Sequence, residues 1–333
     1  MSRPSHAPLG HAIDTARSSA PAGGGPAWEC EGRDWPLREH SMFLEAGGLR
    51  WHVQRLGSGP VLLLVHGTGS ATHTWRDLAP LLAGRFTIVA PDLPGHGFTR
   101  GAGAAQLSLP GMAHALGCLL EKLGLSPEIA VGHSAGAAVV LRMCLDGALS
   151  PRLVVSLNGA LLPFGGLPGR VFSPLARLMA ANPLAAHLVA WHGRDAAAVA
   201  RLLRATGSRL DAHAVELYRR LVSHPGHVAG TLGMMARWDL HTLGRDLARL
   251  ATPLVLVTAD NDRTVSPRGA AQVARRLPAA THLSLAGLGH LAHEERPETV
   301  ASLIFRLAGA PAGAPRPGGD DPAGPSSRGA GHG

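Results

Sequence analysis

A chain of 333 residues allows one large or two small domains, and its 45% hydrophobic content is ample for a globular core. The formal charge of +8 invites a nucleic-acid reading, but the basic residues are scattered arginines plus Lys122 with no run of five, so no nucleic-acid partner is expected. No apolar stretch of about 18 residues suggests a membrane span, and an odd set of cysteines (Cys30, Cys118, Cys144) without an apolar leader segment fits free thiols in a reducing cytoplasm.

Residues 1–27 are rich in Ser, Pro, Gly and Ala and lack an apolar period, so they are expected to be disordered. A strand–helix alternation follows. Strands over 42–46 and 49–55 read as a hairpin turning at Gly47-Gly48. The all-apolar run 61–65 reads as a strand buried on both faces, as in a parallel sheet, and it ends in His66-Gly67-Thr68-Gly69. A helix over 75–82, a strand over 86–90 ending at Pro91-Asp92, and a helix over 107–123 come next. A short strand over 129–131 then runs into Gly132-His133-Ser134-Ala135-Gly136, with a helix over 135–144 behind it. Gly-x-Ser-x-Gly between a strand and a helix is a nucleophile elbow, a turn so tight that side chains at the flanking glycines would collide. A strand over 153–157 completes this part.

The alternation breaks from 158 to 250. Helices are expected over 171–181, 183–191, 195–205, 211–221 and 227–238, with no strand. Their apolar positions, among them Phe172, Leu175, Leu178, Met179, Leu184, Leu188, Trp191, Met234, Met235 and Trp238, recur at helical spacing. Most should be buried within this insertion and on the core below, a few lining an apolar pocket. The segment 170–191 is amphipathic enough to touch a membrane surface, though the core is its expected partner. Another strand, 253–257, ends in Asp260 and Asp262. An alternating strand over 281–285 leads to His290, followed by Glu294 and by Pro297 opening a last helix. The Pro/Gly-rich tail 311–333 should be disordered. The expected organisation is therefore core (28–157), helical insertion (158–250) and core again (251–310), between the two terminal segments.

Ser134 is the candidate nucleophile, Asp262 or Asp260 the acid, and His290 the base. With 19 histidines no single one is informative by itself; His290 stands out because it follows the last strand, after the acid. The order Ser, Asp, His along the chain separates this arrangement from other serine-triad folds. His133 should fill space or meet solvent, His66 should shape the glycine loop, and Asp92 should bond loop N–H groups. No Cys/His cluster has metal-ligand spacing, so neither a metal nor another cofactor is expected.

These pieces, in this order, resemble the α/β-hydrolase superfamily over roughly residues 40–308. The resemblance implies an α/β-hydrolase fold: a mostly parallel central sheet, helices on both faces, and a helical cap over the site. It assigns the oxyanion-hole amides to Thr68 and Ala135. It favours Asp262 over Asp260, because Asp260-Asn261-Asp262-Arg263-Thr264-Val265 resembles the superfamily's acid loop, in which the second carboxylate is used. Asn158 stands where some relatives keep an alternative acid.

A narrower resemblance runs through Arg33-Asp34-Trp35-Pro36, residues 45–54 (EAGGLRWHVQ), 66–78 (HGTGSATHTWRDL), 156–164 (SLNGALLPF) and 233–240 (GMMARWDL). These resemble the BchO-type α/β-hydrolases of phototrophic bacteria, described as magnesium-chelatase accessory proteins of bacteriochlorophyll biosynthesis. That resemblance implies a tetrapyrrole-related ligand and chelatase subunits as partners. Three readings stay open: a serine hydrolase acting on an ester, related acyl or carbon–carbon bond; a porphyrin-binding accessory protein with an idle triad; and a general carboxylesterase unrelated to pigments. A serine nucleophile argues against epoxide or haloalkane hydrolysis, which needs a carboxylate there.

Overall fold

The computed structural model describes residues 25–163, 177–277 and 280–309. Nearly all of the N-terminal segment 1–27, the whole tail 311–333, and most of the helix expected over 171–181 (with Phe172 and Leu175) lie outside the described residues. Eight strands form one sheet in the order β1-β2-β4-β3-β5-β6-β7-β8. They are β1 (Ser41–Ala46), β2 (Leu49–Leu56), β3 (Val61–Val65), β4 (Thr87–Pro91), β5 (Ile129–His133), β6 (Leu153–Leu157), β7 (Leu254–Ala259) and β8 (Ala280–Leu285). β2 runs antiparallel to both β1 and β4, and every other pairing is parallel. The β1–β2 turn uses Gly47 and Gly48 at φ 56° and 74°, the two left-handed positions a tight hairpin of this type demands.

The apolar runs are continuous because both faces of the sheet are covered. On β3, Leu63 and Val65 join one core cluster and Leu62 and Leu64 join another; Val89 against Ile88 and Ala90 repeats the split on β4. The first face is covered by helices Leu109–Leu123, Ala135–Leu145 and Pro267–Arg276 through Leu116, Val139 and Val273. The second is covered by helices Leu78–Ala83 and Pro297–Gly309 through Leu82 and Ile304. Period-2 alternation thus sends neighbouring residues to two separate cores. The helix expected from 107 begins at Leu109 because the Ser108 hydroxyl accepts the Gly111 N–H and caps it; a short 3-10 turn, Ala105–Leu107, precedes it.

Between β6 and β7 the described residues hold helices Pro183–His192, Ala196–Ala205, Ala212–Val222, Pro225–Arg237 and His241–Asp246, and no strand. Asn182, Asp195 and Asp211 cap the first three. The last of these helices, with the 3-10 turn Leu247–Arg249, is additional to those the periodicity suggested. This segment is tied to loops at the carboxyl ends of the strands. The Arg263 N–H donates to the Thr206 carbonyl (3.0 Å), the Leu291 N–H to Ser208 Oγ (2.8 Å), and Gly230 passes against the backbone of Gly95.

One expectation about the segment is overturned. Met234 is fully buried, but Leu178, Leu184, Leu188 and Trp191 are exposed, at 70, 73, 59 and 64%. Helix Pro183–His192 instead turns its small side, Ala186 and Ala190, toward Val228 and Leu232. Alanines let the two helices approach closely, which leaves the larger side chains pointing outward.

Candidate active site

Ser134 follows β5 with φ 51° and ψ −118°, a strained conformation for a residue with a Cβ. The two glycines around it have no room for a side chain. A Cβ on Gly132 would stand 2.4 Å from Ala137 Cα, and one on Gly136 would stand 2.2 Å from the Val65 carbonyl oxygen. The turn is held by the Ser134 N–H donating to the Leu157 carbonyl (3.0 Å) and by the Ser134 carbonyl accepting from Ala160 N–H (3.1 Å). Ser134 is nearly buried, at 9% exposure.

The loop after β3 lies directly against the serine: a Cβ on Gly67 would approach Ser134 Cβ to 2.9 Å. His66 holds this loop. Its Nε2 accepts the Leu93 N–H (2.9 Å), so Nδ1 carries the proton and donates to the Gly67 carbonyl (2.8 Å). Burial pushes the His66 pKa down, against the opposing pull of Asp92 and the Gly67 carbonyl, so the ring stays neutral. Among the described residues neither the Thr68 nor the Ala135 N–H donates a hydrogen bond to protein. Asp92 accepts from the Thr72 and Phe98 N–H groups (2.7 and 2.8 Å), as expected, and also pairs with His52 Nδ1 (2.8 Å), which sequence alone did not suggest. Burial would raise the Asp92 pKa, but His52 and these donors more than reverse it and hold it well below the usual carboxylate range.

Asp262 and His290 meet. Asp262 Oδ2 stands 2.8 Å from His290 Nδ1, while its Oδ1 accepts the N–H groups of Thr264 and Val265 (2.7 and 2.9 Å). Asp260 instead is exposed and accepts the Gly287 N–H (2.7 Å), a loop-forming role. A proton on Nδ1 facing the carboxylate leaves His290 Nε2 free to accept one. Among the described residues no hydrogen bond joins Ser134 Oγ to His290 Nε2; such contacts are commonly long without substrate and tighten when it binds. The two residues are nonetheless neighbours, because the ring of His133 lies 4.7 Å, centroid to centroid, from that of His290.

Two residues grip the His290 backbone. Asn158 Nδ2 and His133 Nε2 each donate to its carbonyl at 2.9 Å, and Asn158 Oδ1 accepts the Ala259 N–H (2.8 Å) at the end of β7. Asn158 adopts φ 46°, which asparagine tolerates better than most residues. It therefore links the strand that carries the acid to the loop that carries the base. His133 is neither filler nor solvent-facing: it is 2% exposed and makes this contact.

Behind them lies a buried polar chain. His293 Nε2 donates to Thr74 Oγ1 (2.8 Å), and Thr74 Oγ1, Tyr218 OH and Arg76 Nη1 donate to the Glu294 carboxylate at 2.6, 2.7 and 2.5 Å. Burial raises the Glu294 pKa, an effect that Arg76, Thr74 and Tyr218 only partly offset. Burial also keeps several rings neutral: His293 titrates down at about 3 and His227 at about 4. The unfolded chain would protonate both near 6.5, so it binds more protons than the folded chain below that pH. The stability they contribute is whole above pH 6.5 and falls by about 1.4 kcal/mol per histidine per pH unit until each folded pKa is passed. A melting temperature dropping steeply from about pH 6.5 to 4 is the expected result in a thermal scan; a flat profile across that window contradicts it.

The helical segment covers the glycine loop. Thr68 Oγ1 lies 3.5 Å from Met234 Sδ, and His227 bridges the Gly69 carbonyl (3.2 Å) and the Gly97 N–H (3.1 Å). Among the described residues no group of three or more His, Cys, Asp or Glu side chains is arranged to hold a metal ion. The arrangement has a strained serine, a carboxylate-oriented imidazole and two unspent amides in one place, the parts that acyl transfer requires.

A family model described as alpha/beta hydrolase fold matches residues 60–297. The chain is 40% identical over 274 residues to the "Magnesium-chelatase 30 kDa subunit" of Rhodobacter capsulatus, which spans 82% of this chain and 95% of that protein. It is 32% identical over 267 residues to "Lipase LipV" of Mycobacterium tuberculosis, covering 76% of this chain and 95% of the lipase. Among solved structures, an alpha/beta hydrolase fold protein from Burkholderia ambifaria superposes with a TM-score of 0.67 at 24% identity, over 80% of this chain and 100% of that one.

Proposed function

This chain belongs to the α/β-hydrolase fold family, and from that premise we propose that it is a serine hydrolase of bacteriochlorophyll biosynthesis acting on a tetrapyrrole-related acyl substrate. The observation that carries the chemistry is the 2.8 Å contact between Asp262 Oδ2 and His290 Nδ1, beside a serine held at an elbow. Ser134 Oγ attacks the acyl carbon while His290 Nε2 takes its proton. Asp262 keeps the imidazole in the required tautomer and stabilises its positive charge. The Thr68 and Ala135 N–H groups donate to the oxyanion, each worth roughly 10²–10³ in rate. His290 then protonates the leaving group, and water releases the acyl-enzyme by the same steps in reverse. The helical segment over the loop acts as the cap, with its buried Met234 packed against Thr68.

The pathway assignment rests on the chelatase-subunit relative, whose name also favours a second reading: a porphyrin-binding partner of chelatase subunits whose triad is idle. One experiment divides the readings. A phototrophic host lacking its own copy is complemented with wild type or with Ser134→Ala, and bacteriochlorophyll is measured. Recovery with wild type alone supports catalysis in the pathway, and the pigment that accumulates identifies the blocked step. Equal recovery with Ser134→Ala supports the binding reading. An unchanged pigment level in the deletion strain removes the pathway and leaves a general carboxylesterase or carbon–carbon bond hydrolase.

A further inference from the structure

Helix Pro183–His192 is apolar on two sides, and only one of them is packed. Ala186 and Ala190, at 7 and 2% exposure, face the Val228 and Leu232 side chains of helix Pro225–Arg237. Leu184, Leu188 and Trp191 follow at i, i+4 and i+7, so they share the opposite face, and all are more than half exposed. Leu178, just before this helix, is 70% exposed as well. A row of large apolar side chains held out in water is costly, and such a row marks a surface that meets something.

The charge around the row indicates what it meets. From Gly147 through Arg194 the chain contains no aspartate or glutamate, while exposed Arg177 and Arg194 bracket the apolar row. The titratable side chains on the helix itself are His187 and His192. The helix packed against it, Pro225–Arg237, carries two titratable side chains, Arg237 and the buried, neutral His227. An acid-free, arginine-flanked helix with leucines and a tryptophan on one side matches the headgroup region of an anionic bilayer. A second copy of this chain fits less well, because it would bring its own arginines to the same contact. Four side chains also cover far less than the roughly 800 Å² per partner of a typical stable interface.

We propose that this face seats the protein on an anionic lipid surface, with Leu184, Leu188 and Trp191 entering the headgroup–acyl boundary while the helix lies parallel to the membrane plane. The seat is close to the site. The helix beneath it, Pro225–Arg237, carries the Met234 that touches Thr68. Docking therefore presents the helical segment over the glycine loop to the lipid phase, where apolar carboxylate-bearing amphiphiles collect. The proposal concerns the surface alone and holds whether or not Ser134 is catalytic.

The test is co-sedimentation of the full chain with vesicles of mixed phosphatidylglycerol and phosphatidylcholine, and with vesicles of phosphatidylcholine alone. Wild type is expected in the pellet with the anionic vesicles and mostly in the supernatant with the neutral ones. Leu184→Ser combined with Leu188→Ser, and separately Trp191→Ser, should each weaken anionic-vesicle binding by roughly tenfold or more with an unchanged melting temperature. Wild type that stays in the supernatant overturns the proposal, as does a Leu184→Ser/Leu188→Ser protein that binds as tightly as wild type. Sedimentation velocity supplies the remaining arm: a wild-type dimer that these substitutions dissociate assigns the face to a second copy instead.

Discussion

Ser134→Ala is expected to lower kcat for a short acyl ester by roughly 10⁴–10⁶-fold, with no change in circular dichroism and little in melting temperature. The two halves of this expectation have separate causes. Catalysis collapses because nothing else at the elbow can attack: the neighbours are Gly132, His133, Ala135 and Gly136, and His133 is buried with its Nε2 committed to the His290 carbonyl. The fold is spared because the serine is anchored through its backbone, by the Leu157 carbonyl and the Ala160 N–H, and among the described residues its hydroxyl bonds to nothing. Alanine pays the same strain at φ 51° as serine does. Activity within tenfold of wild type would mean that the hydrolysis belongs to another group.

Asp262→Asn is expected to cost about 10⁴ in kcat, and the reason is the geometry of its two oxygens. Oδ1 accepts from both Thr264 and Val265 N–H groups, so that position has to remain an acceptor. An asparagine must therefore keep its oxygen there and turn its amide nitrogen toward His290 Nδ1, 2.8 Å away. A donor at that point forces Nδ1 to be the unprotonated nitrogen. The proton moves to Nε2, which can then no longer accept one from Ser134. The backbone bonds survive, so stability should change far less than rate. Asp260→Asn is the internal control. Its Oδ1 needs only to accept the Gly287 N–H, which asparagine can still do, so kcat should stay within a few-fold of wild type. Equal losses for the two substitutions would contradict the assignment of Asp262.

The residues that announce this site are local in sequence. A strand, a glycine-flanked serine and a helix are contiguous from Ile129 to Leu145, and so are an apolar strand and the His66-Gly67-Thr68-Gly69 loop. Strands β3 to β7 are legible because a doubly covered parallel sheet leaves near-continuous apolar runs. What holds the site in register is not local. Asn158 and His133 reach the His290 carbonyl across 132 and 157 residues, and Glu294 gathers Thr74, Arg76 and Tyr218 from two other parts of the chain. No spacing rule pairs such residues. The Pro183–His192 helix fails for a different reason. Periodicity identifies Leu184, Leu188 and Trp191 as one face, but only the packing of Ala186 and Ala190 on Val228 and Leu232 reveals that the bulky face is the outer one.

If Ser134 is an activated nucleophile, a fluorophosphonate will find it without knowledge of the natural substrate. The reagent transfers its phosphonyl group to an activated serine oxygen with loss of fluoride, and intact mass followed by peptide mapping locates the adduct. One phosphonyl group per chain is expected, on the peptide containing Ser134, absent from Ser134→Ala and formed far more slowly in Asp262→Asn. Folded protein that stays unmodified, or that carries the adduct on a different residue, would contradict the assignment of Ser134 as nucleophile.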